Sequence, residues 1–280
     1  MTLSGKASIA GIFGWPISHS RSPRLHGFWI DRHDIDGVYV PLAVAPENFV
    51  TAFRALPALG FRGVNITVPH KEAALANCDM VDAQAKRIGA VNTVMVDDEG
   101  KLVGSNTDAY GFIENVRDGS NWVSKAGPAV VLGAGGSSRA VIVSLLDAGA
   151  PEVRLTNRTR KRADALAEEF GKRMTVVDWD ERGQVLADAA LLVNTTSLGM
   201  QGQPPLEIDL SALPPAAVVT DIVYTPLETA LLRDARARGN ATVDGLGMLL
   251  HQALPGFEKW FGVRPTVDAA LRQFVLDDLR

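Results

Sequence analysis

Residues 129–140 read AVVLGAGGSSRA. Four apolar residues, Ala129 to Leu132, run into Gly133, Ala134, Gly135 and Gly136, and a helix-forming stretch follows. A short apolar run closed by glycine predicts a strand buried on both faces. Glycines at the turn let backbone N–H groups approach a pyrophosphate, and the helix N-terminus behind them adds favourable dipole charge. The spacing departs from G-x-G-x-x-G only at the third position, where Ser138 still permits close helix–strand packing.

Downstream, EVRLTN, MTVV, ALLVNTT, AVVTDIV and ATVD read as strands separated by helical stretches such as KRADALAEEF. That rhythm predicts parallel strands with crossover helices, a doubly wound Rossmann domain over residues 108–243. Upstream, SIAGIF, GVYVPLAV and GVNITV alternate with helices expected from about Arg24 and Pro46. AVNTVMV and KLVGSN flank DDEG, whose acidic residues and glycine suit a β-hairpin. The helical regions GMLLHQALPGFEKW and VDAALRQFVL are expected to pack back on the first α/β domain, giving it residues 1–107 and 244–280. Chemistry is then expected in the cleft between the two domains.

Composition narrows the class. The 280 residues are 46% hydrophobic, ample for two cores, and 28 basic against 32 acidic residues leave a net charge of −4. The charges are mixed rather than striped, which argues against nucleic acid as a partner. No apolar run approaches the roughly 20 residues of a membrane span. The N-terminal stretch lacks the pattern of a secretory signal. The single cysteine, Cys78, fits a reducing compartment, so a cytoplasmic protein is expected. Five scattered histidines give no metal-ligand spacing.

The end of the second Rossmann strand selects the nucleotide. NAD-binding folds place a carboxylate there for the ribose 2′-hydroxyl. This chain has Asn157 followed by Arg158, Thr159 and Arg162 in NRTRKR. Arginines offer charge-assisted donors to a 2′-phosphate, and cations at a helix start call for an anion, so NADP is the expected cofactor. In the first domain, Pro69 halts GVNITV and puts Lys71 at the start of the next helix. The positive helix end disfavours the charge of such a lysine and suits it to proton transfer. Asp108, at a second helix start, is either an N-cap or the partner of that lysine.

GWPISHSRSP, NITVPHK, GAVNT, NTDAYGF, GAGGSSR, NRTRKR, NTTSLGM and DGLGMLLHQA, in that order, closely resemble the shikimate dehydrogenase family. The likeness runs from about residue 9 to 275. It implies a substrate domain followed by an NADP-binding domain, with the C-terminal helices returning to the first. It also implies reversible reduction of 3-dehydroshikimate to shikimate by NADPH. Lys71 and Asp108 match the family's catalytic pair. Ser20, Ser22, Thr67, Asn92 and Gln252 match its substrate ligands, and Tyr224 matches a tyrosine beside the substrate. Gly133, Ala134, Gly135, Gly136, Ser137, Arg139, Asn157, Arg158, Thr159 and Arg162 fall in its cofactor segments. Gly245 and Met248, in DGLGM, lie where the nicotinamide environment is expected. Arg139 is open to two readings, a phosphate contact or a support for its helix.

Within that frame Ser22–Pro23 reads as a helix start, and Ser20 and Ser22 become a cradle for a small carboxylate. His26-Gly27 replaces the family's frequent His-Asn, and PHK stands where some members have PFK; neither touches an expected ligand. Two rivals remain: a quinate dehydrogenase of broader acid or cofactor range, and an idle NADP-binding regulatory protein. The second has no need of Lys71, Asp108 and a full ligand set. Oligomeric state is not legible, and a homodimer stays open.

Overall fold

The computed structural model describes residues 2–278. Its first unit comprises residues 1–107 and 252–280. There β1 (Ser8–Gly14), β2 (Gly37–Ala43) and β3 (Phe61–Ile66) run parallel, connected by α1 (Ser22–Arg32) and α2 (Phe49–Arg54). A 3-10 turn over Pro46–Asn48 takes up the first part of the second helix expected from the sequence. Next come α3 (Lys71–Asn77), β4 (Met80–Val81), α4 (Ala83–Ile88), β5 (Thr93–Val96) and β6 (Leu102–Ser105). β5 pairs antiparallel with both β3 and β6, giving the sheet order β2-β1-β3-β5-β6-β4.

The hairpin forms at DDEG as its composition predicts. The Asp97 carboxylate accepts the backbone N–H groups of Glu99 and Lys101 at 3.0 and 2.8 Å, and Gly100 takes a positive φ of 77°. One face of the sheet buries Phe13, Phe49, Phe53, Val64 and Ile66. Toward α1 the contacts are aromatic: His26 stacks on Tyr39 at 4.0 Å and lies near Phe257 and Trp260. Burial lowers the His26 imidazole to about 3, so this ring is a neutral spacer at working pH.

The second unit comprises residues 108–251. It holds α5 (Asp108–Gly119), β7 (Ala129–Leu132), α6 (Gly136–Asp147), β8 (Val153–Thr156), α7 (Arg160–Phe170) and β9 (Met174–Val177). β10 (Leu191–Asn194), β11 (Val218–Asp221), α8 (Ala230–Ala237) and β12 (Ala241–Val243) follow. All six strands are parallel, in the order β12-β11-β10-β7-β8-β9. Alternation along β7 sends Val131 toward Val141, Ile142 and Leu145, and Val130 and Leu132 toward Leu192, Val219 and Leu231. The sheet is therefore apolar on both faces, with helices on each. Chain direction switches between β7 and β10, and the glycine turn leaves the carboxyl end of β7 at that switch point, where such sheets bind ligands.

The chain closes with α9 (Leu246–Phe261) and α10 (Ala269–Leu276). α9 is one helix despite Pro255, and the division between the units falls inside it, between His251 and Gln252 rather than at 244. Gln252 and the residues after it return to the first unit, where Trp260 donates its indole N–H to the Val94 carbonyl at 3.0 Å. Arg24 caps α10 through the Phe274 carbonyl at 2.8 Å. No helix among the described residues is long and apolar enough to cross a membrane.

Candidate active site

In the second unit the glycine turn is fixed from three sides. The Gly133 N–H donates to Thr156 O at 2.8 Å, and the Thr195 hydroxyl donates toward Leu132 O and Gly133 O at 2.8 and 3.1 Å. Gly133 adopts φ +106°, and a Cβ there would lie 2.8 Å from Thr196 Cγ2, so no other residue fits without distortion. Gly135 and Gly136 differ: a Cβ at either would meet no heavy atom within 4 Å. Their Cβ-free backbone leads into the first turn of a 12-residue helix, a surface that suits an approaching pyrophosphate.

Asn157 joins this turn to the next strand end. Its Oδ1 accepts the Ala134 N–H at 3.1 Å and its Nδ2 donates to Thr159 O at 2.9 Å. Three arginines, Arg158, Arg160 and Arg162, surround the start of α7, and the structure separates their roles. Arg160 pairs with Asp178 at 2.7 Å and Asp164 at 3.5 Å. Arg158 and Arg162 are exposed and make no ion pair among the described residues. Two uncompensated guanidinium groups at a helix start fit a 2′-phosphate. Thr159 is exposed at the N-cap and makes no side-chain capping bond, and Ser137 lies exposed in the first turn of α6. Arg139 instead engages Glu169 with both terminal nitrogens and lies 5.3 Å over the Phe170 ring, the geometry of a helix support.

The DGLGM turn is held against β11 by backbone proximity. A Cβ on Gly245 would lie 2.4 Å from Ile222 O, and Asn115 of α5 donates to Asp244 O at 2.7 Å. Met248 is half-buried against the core beneath the sheet. Tyr224 follows a segment organised by Asp221, whose carboxylate accepts from Asn194 Nδ2 and Val223 N, both at 3.0 Å, and from Thr229 Oγ1 at 2.8 Å. Asn194 in turn accepts from Thr196 N and Oγ1 at 3.0 and 2.8 Å.

Burial raises the Asp221 carboxyl to about 6, outweighing those three donors. The raised value means that the folded chain keeps a proton the unfolded chain has lost. This group's contribution to stability therefore falls as pH rises from about 4 to about 6 and is flat above. A shift of that size corresponds to roughly 3 kcal/mol. Asp221→Asn preserves shape and has no such titration. The stability of the variant relative to wild type should rise by about that amount between pH 4 and pH 7, read by urea unfolding. A pH-independent difference would show that Asp221 does not titrate in this window.

In the first unit, α1 starts at Ser22 with Arg21 as the N-cap, so Pro23 stands at the second helical position rather than the first. Ser22 is buried, and its N–H lies 3.3 Å from Ser20 Oγ. The neighbouring basic residues face elsewhere: Arg21 pairs with Asp278, and Arg24 lies 4.0 Å over the Phe274 ring. Thr67 ends the β3 segment with its N–H on Phe13 O at 2.9 Å. Lys71 opens α3, and its carbonyl accepts the Val91 N–H at 3.0 Å, which sets it beside the loop carrying Asn92. His70 behind it stacks on Phe49 at 4.7 Å and bonds Val44 O at 2.7 Å. Asn92 and Gln252, 160 residues apart in sequence, meet with Nδ2 3.5 Å from Oε1. Asp108 is the first residue of α5, where a carboxylate complements the helix dipole.

Residues that sequence reasoning did not single out complete both halves. Tyr39, Asn65, Thr93 and Thr107 form a buried polar chain with Asn92, while Asn194, Thr195, Thr196 and Asp221 brace the turns after β7, β10 and β11. Polar residues immediately after apolar runs, as in AVNT, SNTD and LLVNTT, are the signal that points to them.

A doubly wound parallel sheet with a glycine turn at its switch point defines a dinucleotide-binding unit, here of the NADP-dependent dehydrogenase class. Family models for the shikimate dehydrogenase substrate binding domain, shikimate / quinate 5-dehydrogenase and the shikimate 5′-dehydrogenase C-terminal domain match residues 12–94, 121–200 and 245–273. The chain belongs to the shikimate dehydrogenase family. It is 62% identical to the shikimate dehydrogenase (NADP(+)) of Paramagnetospirillum magneticum, over 98% of this chain and all of that one. It is also 62% identical to that of Rhodospirillum rubrum, over 98% and 99% of the two chains. The shikimate 5-dehydrogenase of Thermus thermophilus, solved with NADP(H) and shikimate, is 39% identical with a TM-score of 0.86, covering 98% of this chain and 100% of that one.

Proposed function

We propose that this chain catalyses the reversible NADPH-dependent reduction of 3-dehydroshikimate to shikimate, a step in building aromatic amino acids. One observation carries the substrate side of this reading: the Val91 N–H to Lys71 carbonyl bond places an ammonium-bearing residue next to a buried amide and hydroxyl set. A polyol ring calls for neutral donors and acceptors beside one proton donor. The 62% identity to relatives named for this activity, over nearly the whole chain, supports the same reading.

The residues of the second unit fit the cofactor: Gly133, Ala134, Gly135, Gly136 and Ser137 would hold the pyrophosphate, with Asn157 bracing that turn. Arg158, Thr159 and Arg162 would hold the 2′-phosphate, and Gly245 and Met248 would border the nicotinamide. Bound there, NADPH supplies the hydride. As the ketone carbon is reduced its oxygen gains negative charge, which Lys71 stabilises and then protonates. Asp108 orients Lys71 and accepts from substrate hydroxyls. Ser20 and Ser22 bind the carboxylate, Thr67, Asn92 and Gln252 bind the ring hydroxyls, and Tyr224 lies alongside. The enzyme acts in the cytoplasm, where its one cysteine needs no partner.

Absorbance at the nicotinamide band, with shikimate or quinate and NADP or NAD, tests the reading. Shikimate with NADP is the expected best pair by kcat/KM. Faster turnover of quinate, or no turnover of either acid with tight NADPH binding, would overturn it.

A further inference from the structure

The face that α5 turns toward the second sheet is apolar with one exception. Phe112 and Val116 are buried in the same core as Val243 at the end of β12, and Met248 packs against that core. Gly119 lets the helix approach closely, since a Cβ there would lie 3.1 Å from both Val243 methyl groups. Positions 112, 115, 116 and 119 recur at helical spacing and share this face. Asn115 is the exception, and at 7% exposure it is nearly as enclosed as its neighbours. A carboxamide in such a place needs a partner in the structure, because burial strips it of water.

Its partner is the turn that follows β12. Nδ2 donates to Asp244 O at 2.7 Å, and a carbonyl can only accept, which fixes the orientation of the carboxamide. The other end, Oδ1, lies against the Gly247 α-carbon, where a Cβ would come within 1.8 Å of it. One side chain therefore spans the DGLGM turn from Asp244 to Gly247. The turn is closed on itself by the Leu246 N–H, which donates to Asp244 Oδ1 at 3.1 Å. On its far side Gly245 sits against the end of β11 by close packing. The helix that supplies the clamp begins at Asp108. Asn115 stands two helical turns after Asp108, so the two positions share a face and lie about 10 Å apart along the axis.

We propose that Asn115 is a positioning residue for hydride transfer: by clamping the DGLGM turn to α5 it holds Gly245 and Met248 in register with Asp108 at the start of the same helix. The inference rests on the roles proposed above for Asp108, Gly245 and Met248. It adds that the nicotinamide border and the acid–base carboxylate are referred to one rigid element. Asn115 acts through the turn rather than on the reacting atoms.

Asn115→Ala and Asn115→Leu both remove the amide; alanine favours the helix and leucine keeps the buried volume. In each, kcat for shikimate oxidation should fall about tenfold, the scale expected when a reacting group loses its orientation. The Kd for NADP, read by fluorescence titration, should stay within about twofold, because the residues assigned to its phosphates are untouched. The deuterium isotope effect on kcat, with shikimate labelled at the carbon that yields the hydride, should rise as the hydride step itself slows. A loss of stability alone would lower Tm and leave that isotope effect at its wild-type value. Gly247→Ala should impair the wild-type enzyme, where the new methyl meets Oδ1, and should do less damage in the Asn115→Ala background, which vacates the place. Wild-type kcat in either Asn115 variant, an unchanged isotope effect, a Kd for NADP raised as far as kcat falls, or full additivity with Gly247→Ala would each overturn the inference. Wild-type kcat in Asp108→Asn would instead remove the assignment on which it rests, and the inference with it.

Discussion

Lys71→Ala is expected to lower kcat for shikimate oxidation by about a thousandfold, the usual weight of a positioned general acid–base. The variant should keep its fold. The bond that fixes the start of α3 to the Asn92 loop uses the Lys71 carbonyl, which alanine retains, and Ala74 behind it stays in the core. KM for NADP should be unchanged, because every residue assigned to the cofactor belongs to the second unit. Lys71→Arg should rescue little: a guanidinium keeps its proton under all working conditions and cannot hand it to an alkoxide. Steady-state kinetics with both substrates varied, alongside thermal unfolding, give the answer. A Lys71→Ala enzyme with near wild-type kcat would end the mechanism proposed for this residue.

The second large effect concerns cofactor choice. Arg158→Ala with Arg162→Ala should raise KM for NADP by about a hundredfold or more, since each lost hydrogen bond to a charged group costs about 1.5–3 kcal/mol. KM for NAD, which has no 2′-phosphate, should move little, so the preference collapses from one side only. Arg160→Ala makes an informative control. Its guanidinium is already committed to Asp178 and Asp164, and its removal should leave the ratio between the two cofactors close to wild type. Unchanged KM for NADP in the double variant would place the 2′-phosphate elsewhere.

These two predictions draw on the parts of the molecule that are easiest to read from sequence. The second unit's central strands β7, β10 and β11 are buried on both faces, so β7 appears as an uninterrupted apolar run and β10 and β11 as apolar runs with a polar end, and the glycine turn follows from its composition. The starts of α3 and α5 are legible because Pro69 ends one strand and Asp108 suits a helix start. What escapes reading has common causes. β4 is two residues long and carries no periodicity. α1 begins earlier than expected because Pro23 needs no N–H partner in the first turn, which lets Ser22 join the helix. The Asn92–Thr107–Gln252 cluster is built from residues 15 and 160 positions apart, and nothing local in GAVNT or NTDAYGF announces a shared hydroxyl. Arg139 shows the opposite case, a residue whose motif suggests phosphate while its neighbours Glu169 and Phe170 engage it.

The double bonding of Asn157 has an evolutionary consequence. This is the position where NAD-dependent relatives of the fold carry a carboxylate for the ribose. Here the carboxamide needs both its faces, an acceptor for Ala134 N–H and a donor for Thr159 O. Exchange to aspartate, a single-base change from either asparagine codon, would turn the second bond into two opposed oxygens 2.9 Å apart and loosen the turn that carries the glycines. The shortest mutational path from one nicotinamide cofactor to the other is thus blocked at its first step. A lineage descending from this sequence would have to discard its arginines, or rebuild the loop after β8, before a ribose-binding acid could be selected.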